Sequence, residues 1–74
     1  MSRKQALNFS TDLIRMSTWI YRGQDNLVEK FVKLCEEKYR VPEKYGYLYE
    51  LIKKWGDDRY RAADAASTLS RLII

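Results

Sequence analysis

Seventy-four residues with one cysteine and no histidine lie near the size at which a single core only just suffices. A lone thiol forms no internal disulfide and, without histidine, gathers no zinc site. Fourteen basic against ten acidic residues leave a net charge of +4, split six against five in residues 1–37 and eight against five in 38–74; a dedicated nucleic-acid binder concentrates its charge more strongly.

Ser2-Arg3-Lys4-Gln5 has the S-x-x-Q form of a capping box, and neither Pro nor Gly intervenes before Arg22. A first helix is therefore predicted over residues 3–22, about 30 Å long. Phe9, Leu13, Met16 and Ile20 form one apolar row, and Leu7, Ile14 and Tyr21 a second. Ala6, Ser10 and Ser17 lie between the rows. Small residues there predict the close approach of another helix, with the serine hydroxyls returned to carbonyls one turn back. Trp19 does not fit. On a helical wheel it falls among Asn8, Asp12, Arg15 and Arg22, the side expected to be solvated.

Gly23 ends this helix by admitting a left-handed residue, and Asp25 is the expected cap of a second helix over 26–39. This stretch carries the plainest amphipathic pattern in the chain. Leu27, Val28, Phe31, Val32, Leu34 and Cys35 fill one side; Glu29, Lys30, Lys33, Glu36, Glu37 and Arg40 fill the other. Glu29 with Lys33, Lys33 with Glu37 and Glu36 with Arg40 sit four apart, which accounts for the polar side as solvated helix surface. So short a connection predicts that the two helices run antiparallel.

Val41-Pro42 breaks the second helix, and Pro42 suits the start of a third over 43–55. Gly46 makes its first turn irregular and Gly56 closes it. Tyr45, Leu48, Ile52 and Trp55 form its apolar stripe, widened by Tyr49 and Leu51. Asp57 is the expected cap of a fourth helix over 58–73, with Asp58 in the first turn and Ala62, Ala65, Ala66, Leu69, Leu72 and Ile73 on its apolar side. Ile74 is expected to dock onto the body or to belong to an interface. Four helices on short turns predict an all-α fold: one domain, a small four-helix up-down-up-down bundle, with a more open orthogonal arrangement of four helices as the alternative. No apolar run approaches the length of a membrane span, and no signal-peptide core follows the first residues, so a soluble, cytoplasmic protein is expected.

Catalysis finds little support in this inventory. A nucleophile needs a base beside it, and there is no histidine to serve. Cys35, in the middle of an apolar stripe, reads as a small inert hydrophobe. Capping and the helix dipole account for Asp57 and Asp58, and single glycines make no phosphate-cradling loop. No enzyme activity, metal or cofactor is expected.

The aromatic and basic residues are more suggestive. An antiparallel bundle gathers Trp19, Tyr21, Arg22, Trp55, Arg59, Tyr60 and Arg61 at one end. Arg22 complements a helix dipole, but Arg59 and Arg61 stand at a helix start, where cations are disfavoured. Residues at odds with local preference mark function, and Arg and Trp are enriched at interaction hot spots. The local explanation is that Trp19 folds over Tyr21 or the turn while Arg61 pairs with Asp58 or Asp64. The same set would stack bases between rings and guanidinium planes, yet Asp25, Glu29, Glu50, Asp57 and Asp58 at that end dilute the field that phosphates require. A helix-turn-helix reading places Leu48, Leu51, Ile52 and Trp55 where base-reading polar side chains belong. The expectation is a non-catalytic protein–protein interaction module that also self-associates as a homodimer, with Trp19 in the contact. A small nucleic-acid-binding regulator is the alternative. Membrane binding is not expected, because the polar side of the second helix is balanced rather than basic.

Overall fold

The first helix starts on a reciprocal pair of hydrogen bonds. In the computed structural model, which describes residues 2–74, the Gln5 N–H donates to the Ser2 hydroxyl and the Ser2 N–H to the Gln5 side chain, both at 3.2 Å. The helix they open is α1 (Arg3–Arg22), followed by α2 (Asp25–Lys38), α3 (Gly46–Lys53) and α4 (Arg59–Leu72). Glu43–Tyr45 form a 3-10 turn leading into α3. No strand occurs among the described residues, so the fold is an all-α helical bundle. Among the described residues, no helix is long and apolar enough to cross a membrane.

At about 30 Å, α1 spans the longest dimension of the molecule, 31 Å, and the other elements assemble on it. Its packing with α4 is the most extensive in the fold, α4 in turn carries α3, and α2 lies on α1. The core gathers Phe9, Leu13, Met16 and Ile20 with Val28, Val32 and Cys35 of α2, Leu48, Tyr49 and Ile52 of α3, and the alanines and Leu69 of α4.

The serines of α1 act differently from the expectation. Their hydroxyls do not turn back on their own helix. Ser10 donates to the Ser70 carbonyl at 2.8 Å and Ser17 to the Ala63 carbonyl at 2.9 Å, both across to α4. Buried Ala62, Ala63 and Ala66 leave the α4 backbone bare enough for a side chain of two heavy atoms to reach it.

On its other flank α1 is covered by α2. Trp19 stacks on Phe31 at 4.6 Å between ring centroids, and Phe9 on Tyr39 at 4.7 Å. The Tyr39 hydroxyl donates to Asp12 at 3.0 Å. The side of α1 that holds Trp19 and Asp12 is therefore a helix contact, not the solvated side of the wheel. Clasped by α4 on one flank and α2 on the other, α1 leaves a third side bare, and that side carries Leu7, Ile14 and Tyr21. Their relative exposures are 46%, 54% and 65%, so the second apolar row is surface rather than core. Leu27, Leu34 and Leu72 are likewise exposed.

Several helix ends shift by a residue or two from the sequence reading. Gln24, not Asp25, occupies the N-cap of α2 and makes no side-chain cap bond. Asp58, not Asp57, caps α4 and accepts the Arg61 N–H at 3.1 Å. The third helix ends at Lys53, and Gly56 lies in the turn beyond it. Gly23 does take the left-handed conformation, φ 79°. Glu29 pairs with Lys33 at 3.6 Å, whereas Glu36 reaches across to Lys53 of α3 at 3.7 Å.

Candidate functional site

The seven residues singled out in the sequence divide among five places. Tyr21, Arg22 and Tyr60 come together on the outer face of α1 and α4. The Tyr60 ring meets the Tyr21 ring edge-on, with centroids 5.7 Å apart and planes at 69°. Arg22 lines the same open groove with Ser17, Thr18, Ala63, Asp64 and Ser67. Trp19 lies away from them, half-buried against Phe31. Trp55 is half-buried on the edge of the core. Arg61 is exposed near Asp57, Asp58 and Leu51.

Arg59 has a role inside the fold. Its Nη1 donates to the Ile20 carbonyl at 2.7 Å and to Asp25 Oδ1 at 3.0 Å. The first acceptor is a carbonyl in the last turn of α1, which has few partners of its own. The second explains why Asp25 does not cap α2: its carboxylate is held by the guanidinium. A cation at the start of α4 thus serves the end of α1, and its apparent conflict with the α4 dipole is resolved by its neighbours.

What remains as an unexplained surface is the face running along α1 and α4. Leu7, Ile14 and Tyr21 recur at seven-residue intervals, with exposed Thr11 and Thr18 between them. On α4, Tyr60 is 70% exposed, and Asp64, Ser67 and Arg71 follow it along the same side. Leu7 also borders a second groove, with Ala6, Arg3, Ile73 and Ile74. That Leu7 and Ile14 lie on the surface does not follow from the apolar row alone. The available signal was their flank of Thr11, Thr18, Arg15 and Arg22, which is polar where a core row would be apolar.

Three acidic protons are held more tightly than usual in the interior. Burial, followed by the nearby charge of Asp12, pushes the Cys35 thiol up to about 12. Burial and the bond to Asp12 push Tyr39 up to about 12. Tyr49 is raised chiefly by burial, and its hydroxyl donates to the Val32 carbonyl at 3.2 Å. A protonated, buried thiol is a poor nucleophile and a poor metal ligand. Among the described residues, no three His, Cys, Asp or Glu side chains gather in a metal-binding group. Comparisons with protein-family models, curated proteins and solved structures find no match to this chain.

Proposed function

We propose that the chain is a non-catalytic protein-binding module whose docking face is the outer side of α1 and α4. The observation that supports this reading is the exposed row Leu7, Ile14 and Tyr21, extended sideways by Tyr60. Such a row costs free energy in water and adds nothing to the core, so covering it is the use it suggests. Aromatic residues flanked by arginine are also the composition favoured at interface centres. Self-association, with a second copy as occupant, is one form of the same reading. A cytoplasmic setting belongs to the proposal as well, on the strength of the single, buried Cys35 thiol.

The nucleic-acid alternative keeps Arg22, Arg61, Tyr21 and Tyr60 but has less to draw on. Arg59 is engaged by Asp25 and Ile20, and the Trp19 ring is engaged by Phe31. Affinity capture from an extract of the native cells, with wild-type chain and the surface variant Ile14→Asn as paired baits, tests the docking reading. The expected result is a partner held by the wild type and lost by an equally folded variant. Identical capture by both baits would remove this face from the function. Light scattering over a concentration series, run on the same pair, reads the self-associating form directly.

A further inference from the structure

We infer that the occupant of the α1/α4 face is an acidic amphipathic helix of another protein, laid along α1 from Leu7 to Tyr21. The inference rests on the docking reading above and adds the class of partner. Leu7, Thr11, Ile14, Thr18 and Tyr21 are all exposed and follow one another at spacings of four, three, four and three. That alternation is the seam one helix presents to another helix lying along it. From Leu7 to Tyr21 the seam is about 21 Å long, or four turns. Tyr60, Asp64, Ser67 and Arg71 form the parallel bank on α4.

Charge decides the partner's sign. Arg3, Lys4, Arg15 and Arg22 border the seam on α1, and Arg71 borders it on α4. Against these cations stands Asp64. Asp12, the only acid of α1, is turned toward α2: its side chain is 13% exposed and accepts the Tyr39 hydroxyl. Arg15 reaches Asp12 only at 3.9 Å and stays 59% exposed. Arg3, Lys4, Arg22 and Arg71 have no carboxylate within ion-pair distance among the described residues. An apolar seam bordered by an excess of cations, most of them on α1, is complemented by an apolar stripe flanked by glutamates or aspartates.

The same charges disfavour a second copy, since two such faces would set cation against cation. The exposed apolar pair Leu27 and Leu34 on α2 does not supply the complement. It lies among Lys30, Lys33 and Lys38 against Glu29 and Glu37, a small positive excess rather than the acidic flank that the seam needs. A nucleic acid would meet the cations but would lay its phosphates over Leu7 and Ile14, which gain nothing from them.

The test uses two fluorescein-labelled helical peptides of about 18 residues, long enough to cover the seam. Both carry leucines on one stripe; one is flanked by glutamates and the other by lysines. Fluorescence anisotropy with the full chain should show the acidic peptide binding about tenfold or more tightly than the basic one, and weakening as salt rises. Amide chemical shifts should move at Leu7, Ile14, Tyr21 and Tyr60. Ile14→Asn should abolish binding with helical circular dichroism unchanged, and the double variant R15E/R22E should reverse the preference between peptides. Equal binding of both peptides, lost in Ile14→Asn, would overturn the acidic partner and leave the docking face standing. No peptide binding by a chain that light scattering finds dimeric would assign the face to a second copy. A DNA duplex bound more tightly than either peptide, with a steep salt dependence, would assign it to nucleic acid. No binding by a monomeric chain would overturn the inference and the docking reading together.

Discussion

Arg59 holds the end of a helix to which it does not belong: its guanidinium sits 2.7 Å from the Ile20 carbonyl, 39 residues away in sequence. The same nitrogen takes Asp25 at 3.0 Å, so one side chain ties the starts of α2 and α4 to the end of α1. Arg59→Ala should cost about 1–2 kcal/mol, the range for a charged donor lost from a partly exposed site. Lysine carries its nitrogen one bond nearer the backbone than Nη1, so Arg59→Lys should recover only part of this. Urea denaturation of the three proteins measures it. An unchanged midpoint for Arg59→Ala would mean the clamp is solvent-replaceable.

Trp19 on Phe31 predicts a folding defect rather than a change in mass. Trp19→Ala removes a half-buried ring from the α1/α2 contact and should lower stability by about 2–3 kcal/mol, while Trp19→Phe should retain most of it. Unaltered denaturation together with a lower mass by light scattering would instead put the ring between two chains.

The α1/α4 contact is sensitive to volume. Ala66 is fully buried, and Ala66→Leu should overpack the site at a cost of about 1–3 kcal/mol. Ser10→Ala leaves a buried Ser70 carbonyl short of a donor and should cost about 1 kcal/mol. Thermal denaturation distinguishes these from Thr18→Ala, an exposed site where little change is expected.

Alkaline pH should loosen the fold, and the sign follows from the raised thiol. Unfolded, Cys35 ionises near its ordinary value of 9.0; folded, it stays protonated up to about 12. Its contribution is complete below about pH 9 and falls away as pH rises through this window. Tyr39, raised from 10.0 to about 12, acts in the same sense from a higher starting point. Cys35→Ala should lower stability at neutral pH and reduce the slope above about pH 9. A thiol reagent should label the native protein slowly and the unfolded protein fast. Prompt labelling of native protein would place Cys35 outside the core.

Features set by near neighbours were legible in the sequence. The Ser2/Gln5 box, the left-handed Gly23 and the row Phe9, Leu13, Met16 and Ile20 all follow from spacings within one helix. Which of two apolar rows on α1 becomes core was not legible, because it depends on where α2 and α4 come to rest. Leu7, Ile14 and Tyr21 look as apolar as their neighbours until those flanks are occupied. Trp19 looked misplaced for the same reason: its partner, Phe31, comes from another helix. Asp25 and Arg59 each broke a local rule, and both are explained by their contact with one another. Of the candidate site, Tyr21, Arg22 and Tyr60 were found by type and position, while Leu7 and Ile14 were read only as members of a second apolar row.

The way α2 is attached has a consequence for how the molecule comes apart. It buries only Val28, Val32 and Cys35, whereas α4 buries six residues. The Trp19–Phe31 stack and, just past its end, the Phe9–Tyr39 stack fasten it to α1, while Tyr49 and Lys53 of α3 reach Val32 and Glu36 and Arg59 of α4 reaches Asp25. An element that buries so few side chains opens on its own before the rest unfolds. Amide protons of α2 should therefore exchange with deuterium sooner than those of α1 and α4. A protease should nick the chain first in the Gly23-Gln24 turn or at exposed Arg40, leaving α1 with α4 as the slowest part to dissolve.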